Sequence, residues 1–206
     1  MINLFDAEIS VSFRFVLSHV CSFTKPSPFF RLQRAPRIIN GQDVVSFRYP
    51  YFSLMYGRGL CGGVLISPRL VLSAAHCDGA ANDFQVGAYK DKSDGDHVNI
   101  RSAIIHPEYD TTEFDMDIMI IQLEEKSNNP YMKLNKEEID GGTFTVLGFG
   151  DMDKESPIEL ANTLQEVELH YVTNKKCDKG HGGNGEVMED MMCVEALDKD
   201  SCIGKC

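Results

Sequence analysis

The chain has 206 residues, 43% of them hydrophobic, and a formal net charge of -11. That length and apolar content support one large or two small globular domains with a real core, and exclude a disordered chain. The acidic balance argues against nucleic acid and anionic membrane surfaces as partners, while leaving basic peptides open as substrates. No run reaches the length of a membrane-spanning helix. Glycine and proline recur at turn-like intervals and long 3.6-residue periods are absent, so an all-β chain of many short strands is expected.

Val11–Phe23 is apolar, but Arg14 and His19 interrupt it, and Asp6 and Glu8 stand where a signal peptide carries basic residues. Residues 24–37 are Pro-rich and basic and read as a linker or pro-segment. At Arg37-Ile38-Ile39-Asn40-Gly41 an arginine precedes two β-branched residues, which fits a cleavage site and equally a basic linker meeting a strand. Strands are predicted over Phe52–Tyr56, Gly62–Ile66, Leu70–Ser73, Phe84–Tyr89, Val98–Ile105 and Ile118–Leu123. The polar loop at 90–96 carries Asp91, Asp94 and Asp96, which could ligate calcium but lack the full EF-hand spacing. A solvated turn is the preferred reading, with a small calcium-binding module as a minor alternative. Residues 124–142 form a polar connector and a boundary between two halves. Beyond it come Phe144–Leu147, Gly148-Phe149-Gly150 and a clean alternation over Leu164–Val172. His97, His106 and His181 lie in polar surroundings and read as exposed.

Two stretches carry chemistry. In the first, Ser67-Pro68-Arg69 separates two apolar runs, and Ala74-Ala75-His76-Cys77 follows. A Cys61–Cys77 bridge would close a loop of about 15 residues, worth about 3 kcal/mol in the chain-entropy model. It would also fix the backbone beside His76, as a general base requires. The alternative is a core histidine beside a structural disulfide. In the second, Asp117 stands directly before the apolar Ile118–Leu123. A carboxylate there is partly buried and needs a partner, which could be a histidine N–H or backbone N–H groups at the strand start. Seven cysteines (21, 61, 77, 177, 193, 202 and 206) give no zinc pattern. They point to a disulfide-bonded, extracellular protein despite the weak leader.

Together these residues resemble the trypsin-like, chymotrypsin-fold (family S1) serine peptidases. The matching motifs are Arg37-Ile38-Ile39-Asn40-Gly41, Tyr49-Pro50-Tyr51, Cys61-Gly62-Gly63, Leu72-Ser73-Ala74-Ala75-His76-Cys77, Asp117-Ile118-Met119, Gly148-Phe149-Gly150 and Asp200-Ser201-Cys202. They run in the family's order from residue 37 to the end. The resemblance implies two six-stranded antiparallel Greek-key barrels, the second incomplete here. It divides the chain into a leader or pro-segment (1–37), a first barrel with connector (38–142) and a second barrel (143–206). By the family's Ser-His-Asp triad, His76 is the general base and Asp117 the carboxylate that orients it. Asp200 would be the specificity-pocket acid that favours Arg or Lys, with Ser201 lining the pocket. Gly204 would serve the oxyanion hole. Cleavage between Arg37 and Ile38 would activate a zymogen, and Cys61–Cys77 and Cys177–Cys193 would be disulfides. Partners would be protein or peptide substrates and protein protease inhibitors. No cofactor is implied.

The sequence departs from the family at Asp200-Ser201-Cys202-Ile203-Gly204-Lys205-Cys206. The family reads Cys-x-Gly-Asp-Ser-Gly-Gly-Pro there. Cys206 falls at the nucleophile's position, and Lys205 where an aspartate pairs with the freed N-terminal ammonium. Two cations would repel. The 206-residue chain is therefore expected to lack hydrolytic activity, and its second barrel to leave an uncovered edge. The second expectation is a non-catalytic serine-peptidase homologue retained for binding.

Overall fold

The computed structural model describes residues 41–90, 94–135, 139–150, 161–180, 182, 183, 185 and 187–195. Within them lie eleven strands, one 3-10 turn and one short helix. In chain order the strands are β1 (Gln42–Asp43), β2 (Phe52–Gly57), β3 (Leu60–Ser67), β4 (Leu70–Ser73), β5 (Ala81–Val86), β6 (Asp96–His97), β7 (Ile100–Ile105), β8 (Met119–Leu123), β9 (Thr143–Gly148), β10 (Gln165–Val172) and β11 (Cys193–Glu195). The 3-10 turn spans Ala75–Cys77 and the helix, α1, spans Asn174–Gly180.

The first sheet runs β6-β5-β2-β3-β4-β8-β7, every pair antiparallel. Its two end strands are one stretch of chain, because only Val98 and Asn99 separate β6 from β7. Val98 N–H donates to the Phe84 carbonyl at 3.1 Å, and Glu124 N–H donates to the Asn99 carbonyl at 2.9 Å. The strip thus curls back on itself, and with β6 and β7 counted as one strand it has six. Curling brings Met55, Leu65, Val71, Phe84, Val86, Met119, Ile121 and Leu123 into one buried cluster. In β8 the buried residues are every second one, Met119, Ile121 and Leu123, as a one-sided strand requires.

In the second sheet β10 is central. It pairs with β9 over Gln165–His170, with β1 at Gln165 and Glu166, and with β11 over His170–Val172. β1 and β11 therefore share the edge opposite β9. β1, although early in the chain, belongs to this sheet, and Val44 N–H continues the contact by donating to the Leu164 carbonyl at 2.8 Å. Val44, Phe52, Leu54, Ala88, Phe149 and Leu164 form a second core between the two sheets. Phe52 and Leu54 face that core while Met55 faces the first, so β2 is buried on both faces. This accounts for its mostly apolar sequence, with only the small Ser53 interrupting Phe52–Tyr56.

The predicted strands correspond to β2, β3, β4, β5, β7, β8, β9 and β10. The predicted Phe84–Tyr89 strand ends instead at Val86. Gly87 has φ +78°, and its would-be Cβ lies 3.1 Å from Asn129 Oδ1. That left-handed residue turns the chain and admits the Asn129 side chain. β1, β11 and α1 carry little periodic signal because they are too short to show one.

Candidate active site

His76 sits in the 3-10 turn directly after β4. Its place is set by close packing of β3 on β4. A Cβ on Gly63 would lie 2.8 Å from Val71 Cγ1 and 3.1 Å from the Leu72 carbonyl, so only glycine permits this approach. Ser73 Oγ donates to the Gly62 carbonyl at 2.8 Å. Ala74 and Ala75 are buried, and Cys77 is bonded to Cys61 with Cα atoms 6.2 Å apart. The turn is thus anchored on both sides of the histidine.

Asp117 arrives from the other direction. Met119 at the start of β8 pairs with Ser73 at the end of β4, so the residues preceding β8 lie beside those following β4. His76 Nδ1 is 2.6 Å from Asp117 Oδ2, and the His76 backbone N–H donates to Asp117 Oδ1 at 2.8 Å. Both carboxylate oxygens are engaged by the same residue. The side chains are 26% and 13% exposed, respectively. Burial pushes the Asp117 carboxyl up, but the hydrogen bonds from the His76 ring and backbone, the attraction of the imidazolium when His76 is protonated, and the Ala75 backbone bond outweigh it. The net result is a carboxyl below its ordinary range. An ionised Asp117 accepts Nδ1–H, which leaves the Nε2 lone pair of the neutral ring available as a base. The Phe114 ring stands edge-on to the imidazole, centroids 6.2 Å apart at 84°.

A histidine so oriented can take and return a proton, and the family comparison gives this its context. The trypsin family profile matches residues 38–205. The chain belongs to the trypsin family. It is 32% identical over 181 residues to a trypsin of Sarcophaga bullata, covering 82% of this chain and 71% of that protein. It is 29% identical over 188 residues to trypsin 5G1 of Aedes aegypti, covering 84% and 70%. Human granzyme M is 29% identical over 177 residues, covering 80% and 68%. Among solved structures, mouse neuropsin, a serine protease, superposes with a TM-score of 0.70 at 22% identity, covering 81% of this chain and 84% of that one. The last likeness concerns the fold, which is that of the trypsin-like peptidases.

For a trypsin-family chain the substrates are proteins, and such peptidases typically need no cofactor. The Cys61, His76 and Cys77 ligand atoms lie within 4.8 Å of one another, but both sulfurs are consumed by the disulfide. The Cys177–Cys193 disulfide ties α1 to β11. Two disulfides fit an extracellular protein. Among the described residues no helix is long and apolar enough to cross a membrane.

Of the aspartates singled out for calcium, Asp94 Oδ1 accepts the Tyr89 and Lys90 backbone N–H groups at 2.8 and 2.7 Å. Asp96 Oδ2 accepts from Asn129 Nδ2 at 2.9 Å. These bonds tie Asp94 back to the end of the preceding segment and Asp96 to Asn129. Asp91 lies outside the described residues, as do Arg37, Ile38, Asp200, Ser201, Gly204, Lys205 and Cys206, the cysteines 21 and 202, and His181. His106 is half-buried, and its backbone N–H donates to the Ile118 carbonyl at 2.9 Å, one residue beyond the Ile105–Met119 pair of β7 and β8. His97 is exposed but not alone: its Nδ1 is 3.1 Å from Asp83 Oδ1, and Asp83 also accepts from the Tyr56 hydroxyl. Sequence reasoning missed Phe114, although its position three residues before Asp117 was a usable signal. It also missed Asp190, whose carboxylate accepts the Met116 N–H from 74 residues away. Nothing in the local sequence pointed to that contact.

Proposed function

We propose that this is the sequence of a trypsin-like serine endopeptidase, made as a zymogen, that cleaves proteins after Arg or Lys through an acyl-enzyme. The observation that carries the reading is the two-point engagement of Asp117 by His76. In this reading His76 Nε2 deprotonates the nucleophile and then protonates the leaving amine, while Asp117 holds the tautomer. Asp200 and Ser201 form the primary specificity pocket, and Gly204 contributes an oxyanion-hole N–H. Cleavage at Arg37–Ile38 activates the zymogen, releasing residues 1–37 from one peptidase domain built of halves 38–142 and 143–206. The protein works outside the cell, on protein or peptide substrates, and is open to protein protease inhibitors; calcium at Asp91, Asp94 and Asp96 is no part of the mechanism.

The 206-residue chain as it stands has Lys205 and Cys206 at the family's aspartate and serine positions, and in this form we expect no hydrolysis. Those two residues favour a second reading, a binding homologue that keeps the fold without the chemistry. Transcript sequencing past codon 206, followed by labelling with a serine-directed fluorophosphonate, separates the two. Gly-Asp-Ser-Gly-Gly-Pro after codon 203 supports the peptidase, whose labelling should then vanish in His76→Ala. A confirmed stop after Cys206 with an unlabelled product supports the binding homologue. Stoichiometric serine labelling of the 206-residue chain would sink the expectation that this form is inert.

A further inference from the structure

Asp117 is delivered to His76 by a backbone that does not favour the conformation it holds. Phe114 and Met116, neither of them glycine, have φ of 57° and 50°. Side chains rarely adopt that left-handed region, and it persists only where surrounding contacts over-determine it. Some of those contacts are local. Asp110 N–H donates to the Asp115 carbonyl at 3.0 Å, Ile118 N–H to the Met116 carbonyl at 2.7 Å, and Met116 N–H lies 3.1 Å from Asp115 Oδ1. The long-range contact is Asp190 Oδ2, which accepts the Met116 N–H at 3.0 Å.

Asp190 is well placed for this. It precedes β11, whose Cys193 is bonded to Cys177 in α1. Asn174 Nδ2 donates to the Met188 and Met191 carbonyls at 2.8 and 2.9 Å, and Met191 N–H donates to the Met188 carbonyl at 3.2 Å. The aspartate therefore stands on a braced turn beside the second sheet while Met116 belongs to the loop that feeds β8. Asp190 Oδ1 is sealed from solvent and accepts no hydrogen bond among the described residues. Burial pushes the Asp190 carboxyl upward, the Met116 N–H partly offsets this, and the neighbouring Asp115 adds to the rise by its charge and by a side-chain hydrogen bond.

We infer that Asp190 is a positioning residue for the His76–Asp117 pair: by accepting the Met116 N–H across the gap between the two halves, it holds the left-handed Phe114–Met116 backbone that presents Asp117 to the imidazole. This rests on the reading of His76 and Asp117 as base and orienting carboxylate. It also means that the orientation of a first-half residue depends on the second half being folded.

The test uses the full 206-residue chain with both disulfides formed, compared with Asp190→Ala and Asp190→Asn. The readouts are the far-downfield proton of a His76 Nδ1–H bonded to a carboxylate, and hydrogen exchange at the Met116 amide. Asparagine keeps a carbonyl acceptor of the same shape, so D190N should keep both signatures. D190A should lose or broaden the downfield proton and speed Met116 exchange by about tenfold, the effect of losing one hydrogen bond of ordinary net strength. A folded D190A that keeps the downfield proton unshifted overturns the positioning role and leaves the pair intact. No downfield proton in the unmutated chain removes the pair itself, and both readings fall. If D190A does not fold, the isosteric D190L, which removes the acceptor and keeps the volume, takes its place: Met116 exchange and a downfield proton unchanged from the unmutated chain overturn the inference, and faster exchange with the proton lost supports it.

Discussion

Replacing Glu166 with alanine should destabilise the fold and loosen the junction between β1 and β10. Glu166 is buried in β10 with a side chain only 6% exposed. It accepts from Gln42 Nε2 at 3.0 Å, Arg48 Nη1 at 2.8 Å and the Tyr49 hydroxyl at 2.5 Å. Hydrogen bonds to a charged group are worth about 1.5–3 kcal/mol each, but the three do not sum. Gln42 is exposed and the Arg48 side chain is 53% exposed, so both regain water when the carboxylate goes. The Tyr49 hydroxyl is half-buried and regains less. Its lost partner, the lost packing of one methylene at about 0.8 kcal/mol, and the relief of a desolvated carboxylate together leave about 2 kcal/mol. For a chain of this size that is a fall in Tm of roughly 4–8 °C. Glu166→Gln, which keeps the stem and one acceptor, should cost about 1 kcal/mol. Thermal and urea unfolding of the disulfide-intact chain measures both, and a double-mutant cycle with Tyr49→Phe should return a coupling of about 1 kcal/mol. A Glu166→Ala protein within about 0.5 kcal/mol of the parent would refute the idea that this cluster replaces apolar packing at the β1–β10 seam.

The Tyr49 hydroxyl is pushed up to about 12, by burial first, then by its hydrogen bond to Glu166 and the charge there, with Arg48 opposing. An unfolded tyrosine ionises near 10, so the folded chain binds more protons between those values. Its stability should be whole below pH 10 and fall as pH rises toward 12. Tm measured at pH 9 and 11 should drop less in Tyr49→Phe, and equal drops would contradict this. Replacing Cys61 and Cys77 together with serine should cost about 3 kcal/mol for a loop with sequence separation 16. The variant should also lose the downfield His76 proton before it loses its far-ultraviolet dichroism on heating, and simultaneous loss would show that the bridge does not act locally on the histidine. Gly63→Ala should destabilise by about 1–3 kcal/mol, because a methyl 2.8 Å from Val71 Cγ1 forces β3 and β4 apart. Unchanged urea midpoints would show that the strands yield at no cost.

How far the sequence went depends on the range of each interaction. The strand pattern of the first sheet was legible because its alternation is local. Met119, Ile121 and Leu123 announce one buried face within five residues, and Ser67-Pro68-Arg69 announces the turn between β3 and β4. His76 and Asp117 were legible as candidates by their flanks: small buried residues and a cysteine around one, an apolar strand after the other. Sequence also determined the family, since several short motifs in fixed order are a property of the chain and not of its coordinates. Only the tertiary structure decided the partnerships. The register that sets Ser73 opposite Met119 turns two candidates 41 residues apart into a pair with Nδ1 and Oδ2 at 2.6 Å. It moved β1 to the second sheet, where Glu166 gathers three donors from the early chain. It also placed Asp190 on the Met116 amide. The physical reason is common to all three: a hydrogen bond fixes position only after the chain between its partners has closed its loop, and that closure is encoded in the whole core and not in either partner's neighbours.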